Sequence, residues 1–338
     1  MTVLWNKAYE TSTTGDMPTS TANSWSQGFT VRSGVLEFLT LRYDLTFDTT
    51  SPVAGSDIAS LVSGLRIIVN GEIAHDFTAG YSANDNTDAS QYGYVLNKIG
   101  GRVVEVCNSA NALNREGYIT IPLGRVLDST GQNRIECIVD WSAAGAAIDG
   151  DASNKLEWWC RYNSATQTMT TLVPATSFQS SVSTEQVIVR CPTNLPAGSV
   201  VSGVLVLNDS QADELGSQGI RVNALSDYGI TADQWRMINS DLDNTVLYNN
   251  GSNGLSDGVA AQFDALQPSQ GVAGALLIST FNLSLGDIPL IVDSSAATTR
   301  KFFPIITTPI GGRQKQEQVQ LASVKGNTSS AILSNDLQ

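Results

Sequence analysis

The chain has a single histidine, His75, set in Ile73-Ala74-His75-Asp76-Phe77, and a histidine beside an aspartate is the first pairing to test as a general base with an orienting carboxylate. Neighbouring residues on a strand point to opposite faces, so Asp76 cannot easily orient that ring, and His75 reads as a core residue. A nucleophile is wanting too: the sequence holds no GxSxG elbow, no GxxxxGK[ST] phosphate loop, no GxGxxG and no HExxH. Paired carboxylates are the remaining route to hydrolysis. Asp209, Asp213 and Glu214, in Asn208-Asp209-Ser210-Gln211-Ala212-Asp213-Glu214, can be drawn as the acid and base of a glycosidase, but solvated loop acids are the simpler reading.

Metal chemistry fares no better. The oxygen-rich run Asn84-Asp85-Asn86-Thr87-Asp88 lacks the glycine and terminal glutamate of a helical calcium loop and reads as a loop tip. Cys107, Cys137, Cys160 and Cys191 have neither CxxC nor zinc-knuckle spacing and read as reduced, small apolar residues. Trp158-Trp159 and Phe302-Phe303-Pro304 could form a sugar platform or a membrane anchor. Adjacent aromatics at strand ends more often plug the space between two sheets or fill a domain interface, which is the expectation here. No catalytic, cofactor-binding or metal site is therefore expected.

The elements around these residues are strands. β-branched and aromatic runs (Leu36 to Phe47, Leu65 to Val69, Tyr118 to Leu123, Arg134 to Trp141, Val187 to Cys191, Val200 to Leu207, Ala275 to Leu285, Ile288 to Val292) recur between clusters of turn formers. Leu39 to Phe47 alternates apolar and polar residues strictly, which puts one face on a core. Helical candidates are short connectors, Ser56 to Ser63 and Thr231 to Ser240. Of 338 residues, 41% are hydrophobic and 15% charged, enough for a large core, and the formal charge of -13 is the wrong sign for gripping phosphates. No apolar run approaches the roughly 20 residues of a membrane-spanning helix, and the polar start lacks a signal peptide, so synthesis in the cytoplasm is expected.

An internal repeat is the most informative feature. Ile135 to Ala144 matches Ile288 to Ala297 at an offset of 288 - 135 = 153, and Gly64-Leu65-Arg66-Ile67 matches Gly219-Ile220-Arg221-Val222 at 219 - 64 = 155. Asp76-Phe77 pairs with Asp227-Tyr228, and the strand opening at Gly117 with one near Gly274. Landmarks in one order at nearly one offset predict two copies of one β domain, each long enough for a jelly roll. The expected division is an arm over 1–29, a first roll over 30–165, a Ser/Thr-rich linker over 166–183, a second roll over 184–310 and an arm over 311–338. Both polar arms are expected to make contacts outside their own barrel. The long inserts 78–116 and 229–273, rich in turn formers near Asn84 and Asn250, are expected to form an exposed crown.

With Gly64 to Gly71, Ile119 to Arg125 and Leu195 to Val206 as its strand landmarks, the chain resembles the double jelly-roll major capsid proteins of tailless icosahedral viruses, including bacteriophages with an internal membrane. The resemblance covers about residues 30 to 310 and implies an all-β double jelly roll with short connecting helices. It implies a structural subunit, not an enzyme, that forms homotrimeric, pseudo-hexameric capsomers in a virion. Its implied partners are neighbouring capsomers, penton or minor capsid proteins and an internal lipid membrane near Trp5 and Lys7 of the N-terminal arm, without sequence-specific nucleic-acid binding. A carbohydrate-binding spike or adhesin is the rival reading.

Overall fold

In the computed structural model, residues 3–47, 58–80, 91–106, 114–129, 131–143, 148, 153–192, 195–209, 215–222, 234–235, 275–284 and 286–310 are described. The first half of the chain contains β1 (Val3–Thr11), β2 (Asn23–Val31), β3 (Gly34–Thr46), β4 (Val62–Val69), β5 (Glu72–Thr78), helix α1 (Gln91–Lys98), β6 (Arg102–Val106), β7 (Asn114–Leu127), β8 (Asn133–Trp141) and β9 (Lys155–Asn163). The strands form two sheets, ordered β1-β9-β3-β7-β6 and β2-β8-β4-β5. Alternation makes them face each other. Ile135, Cys137, Val139 and Trp141 of β8 are buried while the residues between them are not, and Trp25 of β2 stacks on Trp158 of β9 across the sandwich at 5.9 Å. In β3 the apolar phase slips from Leu36 to Leu39, because Glu37 bulges out of register against both neighbours. The β4–β5 hairpin turns through Asn70 and Gly71, both at positive φ (51° and 83°), as a two-residue primed turn requires. Arg134 N donates to the Asn70 side chain at 2.8 Å and pins the turn to β8.

The second half supplies β10 (Thr168–Leu172), β11 (Thr176–Ser180), β12 (Thr184–Val189), β13 (Val200–Asn208), β14 (Leu215–Val222), β15 (Ala275–Ser284), β16 (Ile288–Ser294) and β17 (Thr298–Pro309). One sheet runs β15-β13-β17-β10, with β11 also on β17, and the other β12-β16-β14. The repeat read from the sequence is here a repeat of register. Leu65, Arg66 and Ile67 pair with Val139, Ile138 and Cys137, and Ile220, Arg221 and Val222 pair in the same way with Val292, Ile291 and Leu290. On the other side, Phe29 opposes Ile135 as Val189 opposes Ile288. The two long central strands match as well: Ser202 bulges from β13 just as Glu37 bulges from β3. Both halves therefore carry the strand order of a jelly roll.

The halves meet at an edge. β10 lies beside β5 in a parallel pairing, Leu172 opposite His75, so the second sheet of the first roll continues into the first sheet of the second. Gly124 of β7 makes the approach possible: its φ is 62°, and a Cβ there would stand 2.2 Å from the Thr168 carbonyl oxygen. One apolar cluster fills the first roll and takes in Leu172, Leu205, Leu207, Phe303 and Ile305, and a second fills the other roll.

Three expectations change. Residues 1–29, read as an arm, contain β1, paired along its length with β9, and most of β2, paired with β8, so Trp5 and Lys7 lie on a sheet instead of an extended tail. Residues 166–183, read as a linker, contain β10 and β11, both hydrogen-bonded to β17; threonine is β-branched and suits strands, and Met169 and Leu172 are buried. Within 78–116, read as irregular, stand α1 and β6; burial of Gln91 to Leu96 holds a helix that its composition does not announce. Residues 81–90, 223–233, 236–274 and 311–338, and with them Asn84, Asp227-Tyr228, Asn250 and the C-terminal arm, lie outside the described residues. No described helix is long and apolar enough to cross a membrane.

The Trp25–Trp158 stack joins the two sheets of the first roll, so Trp158→Ala should cost about 3–5 kcal/mol through lost burial and a residual cavity. Urea unfolding would show this as a lowered midpoint at unchanged slope.

Candidate functional site

His75 is 1% exposed, on the edge strand that meets the second roll. Its Nε2 lies 3.1 Å from the Tyr92 hydroxyl of α1, and burial pushes its pKa down to about 3, so the ring is neutral. Asp76 turns away to accept from Arg66 Nη2 at 3.0 Å, as opposite faces of a strand require. The pair is therefore structural. Asp209 closes the passage from β13 to β17: its backbone N–H donates to Thr299 O at 2.9 Å and its carboxylate accepts from the Thr298 hydroxyl. Partial burial raises its pKa, but the bonds from Thr298 and Thr299 outweigh that and hold it below the usual carboxylate value. Asp213, Glu214, Asn84 to Asp88 and Cys107 lie outside the described residues. Cys137, Cys160 and Cys191 are buried free thiols, and burial lifts the pKa of Cys160 and of Cys191 to about 11. Among the described residues no three His, Cys, Asp or Glu side chains gather as a metal site.

Trp158 belongs to the first core and Phe302 to the second, while Phe303 stacks on Phe77 at 6.2 Å where the rolls meet. Trp158, Phe302 and Phe303 thus plug and join sheets, as their positions suggested, whereas Trp159 turns to the outer face of its sheet.

Side chains that could act on another molecule collect instead on the outer face of the β1-β9-β3-β7 sheet. Alternation turns Trp5 and Lys7 of β1, Trp159 and Arg161 of β9, Phe38 and Arg42 of β3 and Tyr118 of β7 to this side. Arg161 lies 5.7 Å from the Trp5 ring and 5.4 Å from Phe38, and its Nε is 3.2 Å from Glu37. One row over, Glu157, only 5% exposed, accepts from Trp159 Nε1 at 2.8 Å and Arg42 Nη1 at 3.1 Å, with Lys7 Nζ at 3.5 Å. Arg42 also reaches Glu116 at 2.7 Å, and this bond raises its pKa against the opposing effect of burial. Nothing along the chain marks this network, because Lys7, Arg42, Glu116 and Glu157 become neighbours only through strand pairing.

Each carboxylate of the network is engaged by a cation, Glu37 by Arg161, Glu116 by Arg42 and Glu157 by Arg42 and Lys7. Trp5 is 49% exposed and Tyr118 39%, so large aromatic surface faces outward beside fixed charges.

No family model matches the chain, and no curated protein matches its sequence. Solved structures do match. The chain is similar to a chain in the atomic structure of Sulfolobus Turreted Icosahedral Virus, with a TM-score of 0.54, 10% identity and 95% of each chain covered. It is similar to the crystal structure of the STIV MCP, with a TM-score of 0.54, 10% identity, 91% of this chain and 97% of that one covered. It also matches the major capsid protein P2 from Bacteriophage PM2, at a TM-score of 0.46, 12% identity and 91% and 98% coverage.

Neutral burial of His75 fixes a pH response. The unfolded chain takes up a proton below about pH 6.5 and the folded chain does not until about pH 3, so stability should fall with pH across that window by up to roughly 1.4 kcal/mol per unit. Urea midpoints of the wild type and His75→Gln, followed from pH 7 to 4, should converge as the pH falls; parallel curves would show that His75 is not the group responsible.

By its strand order and its likeness to the STIV MCP, this chain has the double jelly-roll fold.

Proposed function

We propose that this chain is the major capsid protein of a tailless icosahedral virus, a structural subunit that associates as trimers and tiles a shell. The observation that carries the reading is the pair of jelly rolls with matching register, overlaid on the STIV MCP over 97% of that chain. We divide the subunit into a first roll from β1 to β9 and a second from β10 to β17. Its partners are copies of itself, with penton or minor capsid proteins at special positions of the shell, and its place is the virion after synthesis in a host cytoplasm. It acts by shape. The side chains that could have done chemistry, His75, Asp76 and Asp209, are each committed to an internal contact. A formal net charge of -13 opposes association with nucleic acid, in keeping with a shell that must not stick to the genome it encloses.

Purified full-length chain, examined by light scattering and electron microscopy, should give trimers and then hexagonal tiles or closed shells. A monomer that binds glycans and forms no higher species would overturn the reading in favour of an adhesin.

A further inference from the structure

Asparagine followed by glycine is the pairing most open to spontaneous deamidation. The backbone nitrogen of the second residue attacks the side-chain carboxamide carbon of the first, and glycine, without a Cβ, hinders that approach least. The sequence holds three such pairs, at 70–71, 250–251 and 253–254, and the first falls within the described residues. Asn70 and Gly71 form the β4–β5 turn and both are exposed, so water reaches them. Sequence and exposure alone would mark Asn70 for loss.

The hydrogen bonds oppose it. Asn70 N donates to Arg134 O at 2.9 Å, and Asn70 Oδ1 accepts from Arg134 N at 2.8 Å. Its Nδ2 donates to Asn133 Oδ1 at 3.0 Å. Asn133, buried at 1% exposure, is fixed in turn by the β7–β8 connection: its Oδ1 accepts from Asp128 N at 3.1 Å and its Nδ2 donates to Asp128 O at 2.8 Å. Backbone groups orient both amides, because an N–H can only donate and a carbonyl can only accept. Two turns are thus clasped through two carboxamides. While the clasp holds, both polar atoms of the Asn70 side chain are engaged at the start of β8, and its carboxamide carbon cannot swing onto Gly71 N.

We propose that Asn70 is a deamidation site which the clasp to Asn133 withholds, so that its modification records opening of the β4–β5 turn. In the opened turn Gly71 N attacks Asn70 Cγ. The new C–N bond closes a succinimide ring, and the side-chain nitrogen leaves as ammonia, taking the proton of the Gly71 amide. Water then opens the ring to aspartate or isoaspartate. Neither product restores the clasp. Aspartate puts an acceptor oxygen where Nδ2 stood, against Asn133 Oδ1, and Asn133 cannot turn over without losing both bonds to Asp128. Isoaspartate routes the main chain through the side chain, adds a backbone carbon and spoils a turn with room for two residues. The change is one-way, and it falls at the start of β5, the strand that joins the rolls. A subunit that stays closed keeps its amide, and one that has opened is marked. The inference does not depend on the shell-forming reading.

The test is peptide mapping by mass spectrometry of the full-length chain incubated in mildly alkaline buffer. Asn70 should convert at least about tenfold more slowly in the native chain than in the same chain unfolded in urea, because the reaction follows the population of the open turn. Asn133→Ala removes the acceptor, leaves the Asn-Gly pair intact and should speed the native reaction severalfold. Equal rates in native and unfolded chain, or an Asn133→Ala rate no faster than wild type, overturn the proposal. A second measurement on the unaltered chain guards against a variant that fails to fold. Urea below the unfolding midpoint should raise the Asn70 rate in step with hydrogen exchange at the Arg134 amide, whose bond to Asn70 breaks in the same opening. A deamidation rate that does not follow that exchange overturns the proposal as well.

Discussion

An unpaired sheet edge is a row of unsatisfied donors and acceptors, and β5 is the edge on which both halves of this molecule depend. Ala74, His75, Asp76 and Phe77 are buried in succession, on both faces of the strand, which happens only where a sheet has neighbours above, below and beside it. β10 supplies the neighbour beside it. Arg125 clamps the junction by donating to the Ile73 carbonyl and to the Thr171 hydroxyl, and the bare backbone of Gly124 lets β7 come within contact distance of Thr168. Remove that closeness and the first roll is left with an open edge, while the second loses the cover over Leu205 and Phe303.

The two rolls show what a jelly roll must keep and what it can change. Inward positions keep their apolar character: Leu65 and Ile67 become Ile220 and Val222, and Cys137 and Val139 become Leu290 and Val292. Cores tolerate such exchanges when the patterning is kept and neighbours repack. Outward positions are released, and Glu136 of one copy stands where Pro289 stands in the other. Even a large inward residue is replaceable when its neighbours adjust. Trp25 occupies the place held by Glu185 in the second roll, where the second cluster is built on Phe302 and Trp235 instead.

Legibility in the sequence followed the same division. Strands with one face in a core, such as β3 and β8, show their alternation openly, and the repeat was visible because it sits in inward positions. β1 reads as an arm because it is an edge strand with most of its residues exposed, so no apolar alternation marks it; only its pairing with β9 makes it a strand. β10 and β11 were hidden by serine and threonine, which read as linker when their partner, β17, lies more than a hundred residues away. The outer-face network of Lys7, Arg42, Glu116 and Glu157 was invisible for the same reason. Ion pairs across strands depend on register, and register is a property of the fold.

A fold held by inward volumes and paired edges can drift to 10% identity with a structural neighbour and still overlay nearly end to end. Nothing in such a fold preserves a particular surface, so resemblance in architecture says little about any one outward side chain. What the architecture does preserve is which faces exist and which edges need cover. In this chain one sheet face is covered internally and its counterpart is not, and the side chains differ accordingly, Phe303 against Trp159 and Leu207 against Arg42. A permanently buried face can be purely apolar because it never meets water as a finished surface. A face left open to water carries the mixture seen here, in which paired charges stand beside the aromatic area and keep the surface hydrated.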